Sequence, residues 1–399
     1  MDIAAQRTAE PPSADALRVH ERDDVAVALR PLEPGTRVDV GGETILLTDA
    51  IPQSHKFAIR DIQIGEPVRR YGWPIGAATA AVRRGEHVHT HNVETLLRGE
   101  EKYQHEALPP AALPSSTATF LGYRRADGRV GTRNEIWVLP TVGCVGRTSQ
   151  RIASIAHARR PSGIDGVYAF AHPFGCSQLG DDLGGTRAIL AALACHPNAG
   201  GVLIVGLGCE SNQLDALVEL IPAELRGRVR TLRAQAEEDE TEAGVSLVEE
   251  LMAAASQTRR EPAALSELVL GLKCGGSDAF SGLTANPLVG QMCDLVVGSG
   301  GSAILTEIPE TFGAERLLMA RAANAEVFKS IVTLTNDFKR YFLDHGQTVS
   351  ENPSPGNIAG GITTLEDKSL GAVQKAGSAP VADVLRYGER VRRNVLSLL

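Results

Sequence analysis

The chain has 399 residues, of which 43% are hydrophobic and 22% charged, an ordinary globular balance that argues against whole-chain disorder. There are 40 Lys and Arg against 48 Asp and Glu, and the net charge of −8 argues against a nucleic-acid or anionic-membrane partner, since both need a basic face. Six cysteines are too sparse for a disulfide scaffold and point to free thiols in a reducing compartment.

Residues 1–16 read as a polar tail. Asp2, Arg7, Glu10, Pro11 and Pro12 interrupt any apolar core of an export signal, so a cytoplasmic location is expected. Apolar stretches such as 188–195 and 201–208 fall far short of the ~20 residues of a membrane span. From 17 to 102 come short runs of period-2 character at 25–29, 37–40, 44–47, 56–59, 68–71 and 87–91. Gly and Pro separate them, the pattern of a small all-β module. Residues 103–118, with three prolines and no period, read as a linker.

Beyond the linker the grammar changes. Strand candidates at 135–142, 167–171, 201–207 and 229–233 alternate with helix candidates near 147–160, 183–195, 213–224 and 238–256. The alternation predicts an α/β domain over 119–260 with a mainly parallel sheet. A second α/β part over 261–399 is expected to hold strands at 268–272, 294–297 and 302–305, helices near 313–328 and 329–345, and a terminal helix over 380–399.

Four features carry chemistry. On a strand, His87, His89 and His91 would share one face, and three imidazoles can bind a first-row divalent metal or supply a base. His55-Lys56, upstream, reads as a surface pair. Four Gly–Cys pairs, at Cys144, Cys176, Cys209 and Cys274, follow strand candidates, and in open parallel sheets the carboxyl ends of strands face a common ligand crevice. Cys195 and Cys293 sit in apolar helix patterns and read as core. The run Glu307-Ile-Pro-Glu310 offers carboxylates for a metal or proton, and Arg133-Asn134 abuts the strand leading to Cys144. There is no CxxC pair for structural zinc, no GxGxxG at a first strand–helix turn and no GxxxxGK[ST], so nicotinamide and nucleotide cofactors are not expected.

These motifs together resemble the altronate/galactarate dehydratase family. Residues 54–92 are similar to its N-terminal SAF domain, a β-clip fold. GYRRADGRVGTRNEIWVLPTVGC (122–144), HPFGCSQLGDD (172–182), GLGCE (206–210), LKCGGSDAFSGLTANPLVG (272–290), TEIPETFGAE (306–315) and GITTLEDKSLGAVQKAG (361–377) are similar to its catalytic part. The family's fused members continue past the segment matching VLRYGERV (384–391) into a further region, which this chain is expected to lack.

The resemblance implies a multidomain α/β enzyme, a hydro-lyase. It removes water from an aldonate or aldarate to give a 2-keto-3-deoxy acid and depends on a divalent metal, Fe2+ or Mn2+. His89 and His91 match the SAF motif and are implied as metal ligands or acid/base groups, with His87 outside the matched pattern. Cys144, Cys274 and Glu310 are secondary metal candidates. His172 and Lys273 are acid/base candidates. Arg133 and Asn134 are assigned to the substrate carboxylate, and Ser277, Asp278 and Asn286 to its hydroxyls. The site is expected between the SAF module and the α/β part, with the linker gating it, and a homo-oligomer is among the expectations. The competing readings are an iron–sulfur lyase holding a cluster on the Gly-flanked cysteines, a non-catalytic sugar-acid binder, and a sulfolactate carbon–sulfur lyase.

Overall fold

The computed structural model describes residues 14–386, 388–391 and 394–399. The expected tail lies outside the described residues over 1–13; just beyond, Ala16–Leu17 already pairs as a strand with Val25–Ala28. The chain divides into two compact units. One gathers residues 14–115, 269–384 and 394–399; the other holds 116–268 with 385–386 and 388–391.

In the first unit the amino-terminal part is all-β and antiparallel. Its main sheet runs Ala16–Leu17, Val25–Ala28, Lys56–Ala58, His87–Val88. A hairpin, Arg37–Val40 with Glu43–Leu46, and a three-stranded sheet of Pro67–Arg70, Trp73–Ala78 and Val93–Glu94 complete it. The strand at 87 is shorter than its period suggests. The Asn92 carboxamide accepts from the His89 N–H at 2.9 Å and donates to the His87 carbonyl at 2.8 Å, which closes a turn over 89–92 and ends the one-face alternation.

The carboxyl-terminal part of the same unit is a wholly parallel sheet in the order Val269–Leu272, Ser302–Leu305, Leu396–Leu398, Val381–Val384. Two expectations are corrected here. Residues 294–297 belong to the helix Ala285–Gly298, whose buried Gly290, Cys293 and Val296 recur every three residues, a helical rather than a strand period. In place of the expected helix over 380–399, the described residues there hold the strands Val381–Val384 and Leu396–Leu398; Leu396, Ser397 and Leu398 are fully buried between parallel neighbours, where only extended backbone pairs. The helices expected near 313–328 and 329–345 are Glu315–Met319 and Ala325–Asp344. The segment after 102 has no regular structure, yet Tyr103 is fastened. Its hydroxyl donates to Glu315, and the fully buried Lys339 ammonium reaches Glu315 at 2.7 Å and the Tyr103 oxygen at 2.9 Å.

The second unit carries a parallel sheet in the order Gly166–Ala169, Glu135–Pro140, Ala199–Gly206, Val229–Arg233. Taking these strands in chain order the arrangement is 2-1-3-4, so the switch point of the sheet lies between Glu135–Pro140 and Ala199–Gly206. Gly146–Ala158 and Glu240–Ala255 pack their apolar stripes on one face, through Ile152, Val248 and Leu251; Leu190, Leu217 and Leu225 lie with Leu139 and Ile204 in a separate core. Among the described residues no helix is long and apolar enough to cross a membrane.

A titratable group is built into this unit. His196 packs against Trp137 with ring centroids 5.0 Å apart, and its Nδ1 accepts from the Asn198 N–H at 3.1 Å. Burial, then the charges of Arg129 and Arg228, push its pKa down to about 4. In the unfolded chain the group titrates near its ordinary 6.5, so between those values the unfolded state binds more protons and stability falls as the pH drops. The expected loss is about 2 kcal/mol between pH 7 and pH 4. Urea titrations at the two pH values check this. The H196N variant, which keeps an acceptor for Asn198, should flatten the difference; an equal fall in variant and parent would remove His196 as the cause.

Candidate functional site

The antiparallel register pairs Lys56 with Val88 and Phe57 with His87, so the residue before the first strand, His55, comes opposite His89. The rings of His55 and His89 are 4.6 Å apart, those of His55 and His87 5.1 Å, and those of His87 and His89 5.5 Å. His55 Nδ1 is 3.0 Å from His87 Nε2. One ligating nitrogen from each of the three lies within 4.8 Å of the others. The Ala359 carbonyl, 3.1 Å from His55 Nε2, is positioned to accept a hydrogen bond from Nε2–H, the tautomer that leaves the Nδ1 lone pair facing the group.

Burial pushes all three imidazoles below their ordinary pKa. His87 falls to about 4, with His55 and His91 adding repulsion. His89 falls to about 3, with Lys56 and His55 adding. All three are neutral at pH 7, the form that ligates a metal. His91 is exposed and lies outside the trio, although its ring is 5.2 Å from that of His87. His55, expected as a surface residue, takes part instead.

A second group stands at the carboxyl ends of the parallel strands Val269–Leu272 and Ser302–Leu305. Cys274 Sγ and one carboxylate oxygen each from Glu307 and Glu310 lie within 4.8 Å of one another. Glu307 adopts a left-handed backbone, φ 67°, and its carboxylate accepts the Cys274 N–H. Cys274 Sγ is 3.2 Å from Ser277 Oγ. Glu310 pairs at 2.8 Å with Lys368, whose ammonium also donates to Asn352 at 2.9 Å and Asn357 at 3.2 Å. Burial pushes the Glu310 carboxyl up, but the Cys274 thiol and Lys368 outweigh it and hold the carboxyl below its ordinary value. Burial and the Glu310 neighbour raise the Cys274 thiol. The other oxygen of Glu310, Oε2, is buried without a hydrogen-bond partner. A pocket here is lined by Lys273, Cys274, Glu307, Glu310, Asn357 and Lys368 among others.

The loop 352–363 ties the two groups within one unit. Asn357 donates to the Ser277 carbonyl, Ala359 meets His55, and the Gly360 carbonyl accepts from Ser54 Oγ at 2.9 Å. Gly361, φ 92°, passes so close that a Cβ there would stand 2.4 Å from the Ser54 carbonyl oxygen, so only glycine serves. Beneath, Asp367 accepts from Lys56 and Arg70 at 2.8 Å each, and all three are buried.

A donor set of three imidazoles fits a first-row divalent ion. The thiol and two carboxylates, one with an orphaned buried oxygen, form a second set of compatible chemistry.

Of the residues expected at the site, His89, Lys273, Cys274, Ser277 and Glu310 fall at these two groups. Asp278 and Asn286 line a small neighbouring pocket with Ser277 and Arg70. The Asp278 carboxylate caps the Ser281 turn, and the Asn286 amide donates to the Gly371 carbonyl at 3.0 Å. His172, Arg133, Asn134 and Cys144 belong to the other unit. There both His172 nitrogens are engaged, by the Pro140 carbonyl and the Phe174 N–H. Asn134 is fully buried and spends its carboxamide on Gly163, Ala255 and Arg125, which leaves it no surface for a ligand. Arg133 is exposed and paired with Glu135 at 3.1 Å. His55, Asn357 and Lys368 carry no site assignment from the sequence, whereas Glu307 is one of the two carboxylates offered there by the run 307–310. For His55 the signal was its place one residue before a strand that pairs with the His87 segment.

Residues 14–96 match the altronate/galactarate dehydratase SAF domain. Residues 122–256 match the second domain of D-galactarate dehydratase/altronate hydrolase, and residues 265–399 the C-terminal domain of D-galactarate/altronate dehydratase. The chain is 48% identical to an altronate dehydratase of Escherichia coli over 96% of its own length and 78% of that protein. It is 47% identical to an altronate dehydratase of Bacillus subtilis over the same shares. A galactarate dehydratase (L-threo-forming) of Escherichia coli is 36% identical over 96% of the chain and 76% of that protein. With all three domains matched in order and nearly half the residues shared with full relatives, this chain belongs to the altronate/galactarate dehydratase family and is a hydro-lyase.

Proposed function

We propose that this protein dehydrates an aldonate or aldarate of the altronate type to a 2-keto-3-deoxy acid, with Fe2+ or Mn2+ as its metal. The observation that carries the reading is the cluster of His55, His87 and His89, with one ligating nitrogen from each within 4.8 Å of the others, in the same unit as the Cys274, Glu307 and Glu310 group. The proton at C2 of such an acid is weakly acidic because its loss builds charge on the adjacent carboxylate. A divalent cation neutralises that charge.

The chain's own groups supply the rest. Lys368, already held by Glu310, Asn352 and Asn357, presents a fixed positive charge to an anionic substrate. Lys273, on the wall of the same pocket, is the group to which this reading gives exchange of the C2 proton. The C3 hydroxyl leaves with a proton as water, and the enol gives up its C2 hydroxyl proton as it takes one at C3 to become the ketone. No electron is exchanged, in keeping with a sequence that carries no dinucleotide fingerprint.

The test is a panel of hexonates and hexarates with Fe2+ or Mn2+, scored for 2-keto-3-deoxy product in the parent and in His89→Ala. The parent should turn over at least one acid, lose activity to a chelator and regain it with metal. The variant should fall by about 100-fold or more. Chelator-insensitive activity would sink the metal, unchanged activity of the variant would sink His89, and sulfite release from sulfolactate without dehydration would replace the substrate class.

A further inference from the structure

We propose that the second unit binds a [4Fe–4S] cluster on three thiolates, Cys144, Cys176 and Cys209, with the fourth iron open to an oxygen ligand. These cysteines follow three strands of one parallel sheet, Glu135–Pro140, Gly166–Ala169 and Ala199–Gly206, and two of those strands flank the switch point where open parallel sheets take ligands.

The three loops touch one another. The Gly143 N–H donates to the Phe174 carbonyl at 2.7 Å, which brings the Cys144 turn against the Cys176 loop. The Ser211 N–H donates to the Cys176 carbonyl at 2.9 Å, which brings in the Cys209 loop on the other side. Cys144 and Cys209 are exposed and Cys176 is half-buried, so none is simply a core residue.

The loops are held from behind. The Glu210 carboxylate, 3% exposed, accepts the N–H groups of Leu207 at 3.0 Å and Gly208 at 2.7 Å and the Thr141 hydroxyl, so it braces the turn that presents Cys209. Gly143 also leaves no room for a side chain: a Cβ would lie 3.0 Å from the His172 carbonyl oxygen.

The residue type selects the class of ligand. Among the described residues, none of these thiols belongs to a group of three ligating atoms within 4.8 Å of one another. A cubane puts each thiolate on a different iron and wants them wider apart. Soft thiolates favour iron–sulfur clusters over hard oxygen-seeking ions, and each thiol gives up its proton on binding iron. Three protein ligands for four irons leave one iron to take a hydroxyl or carboxylate oxygen. This inference is independent of the metal proposed for the histidines, because its test reads the cluster and not turnover.

The full-length protein is purified without oxygen and reconstituted with ferrous iron and sulfide. The expected result is about four irons and four sulfides per chain and a brown band near ~400 nm. The C144S and C209S variants, both at exposed positions, should lose most of that absorbance while circular dichroism shows them folded. C195A should keep it. Adding a 2,3-dihydroxy acid to the reduced parent cluster should shift its electron paramagnetic resonance spectrum. Iron without sulfide, no band in the parent, a band retained in both serine variants, or loss of the band in C274A would each overturn the three-thiolate site.

Discussion

Replacing Asp367 by alanine is expected to cost 3–5 kcal/mol, roughly, of the first unit's stability and to lower its melting temperature by about 10 °C. Lys56, Arg70 and Asp367 are buried, at 0%, 1% and 0% side-chain exposure. Their charges sum to +1 with the carboxylate present and to +2 without it. Burial acts to raise the Asp367 carboxyl, but Lys56 and Arg70 outweigh it and hold its pKa far below the ordinary carboxylate value. Lys56 in turn is pushed down to about 8 by burial, with Asp367 opposing. Removing the anion strands two cations and leaves the Thr363 N–H, 3.0 Å away, without its acceptor. The contrast is Lys56→Met, which leaves a balanced Arg70–Asp367 pair and should cost much less. Calorimetry on the parent and the two variants decides the matter. A loss below about 1 kcal/mol in D367A would mean that water or relaxation compensates the charges, and the triad would not be what joins the β part to the helix Leu365–Ala372.

Replacing His55 by alanine is expected to reduce dehydration by about 100-fold or more and to weaken the binding of Mn2+, while His91→Ala stays within about threefold of the parent. The reason is geometric. His55 supplies a nitrogen to the trio and is oriented by the Ala359 carbonyl, whereas His91 is exposed beyond the turn that ends the strand. Isothermal titration with Mn2+ beside the kinetics separates loss of a ligand from loss of fold. Equal losses in the two variants, or none in H55A, would move the site away from His55.

Much of the architecture was legible before any coordinates. The short period-2 runs and their Gly and Pro punctuation marked an antiparallel β module, and the alternation beyond residue 119 marked parallel α/β sheets, because these patterns are local and reflect which face each residue buries. The misreadings arose where local pattern was ambiguous. Residues 294–297 are apolar enough for a strand, and only the buried stripe of Gly290, Cys293 and Val296 makes them helical. The segments 381–384 and 396–398 read locally as helix because their β character depends on neighbours far along the chain.

The site divides the same way. By itself the sequence determined the family, the chemistry-bearing residue types and the strand-end placement of the Gly–Cys pairs, since each rests on contiguous motifs. Only the tertiary structure decided that His55 rather than His91 completes the imidazole trio, that Lys368 sits on Glu310, and that Asn134 is a buried brace. Those facts depend on strand register and on which distant carbonyls and carboxylates surround a side chain, and neither is encoded within a few residues of it.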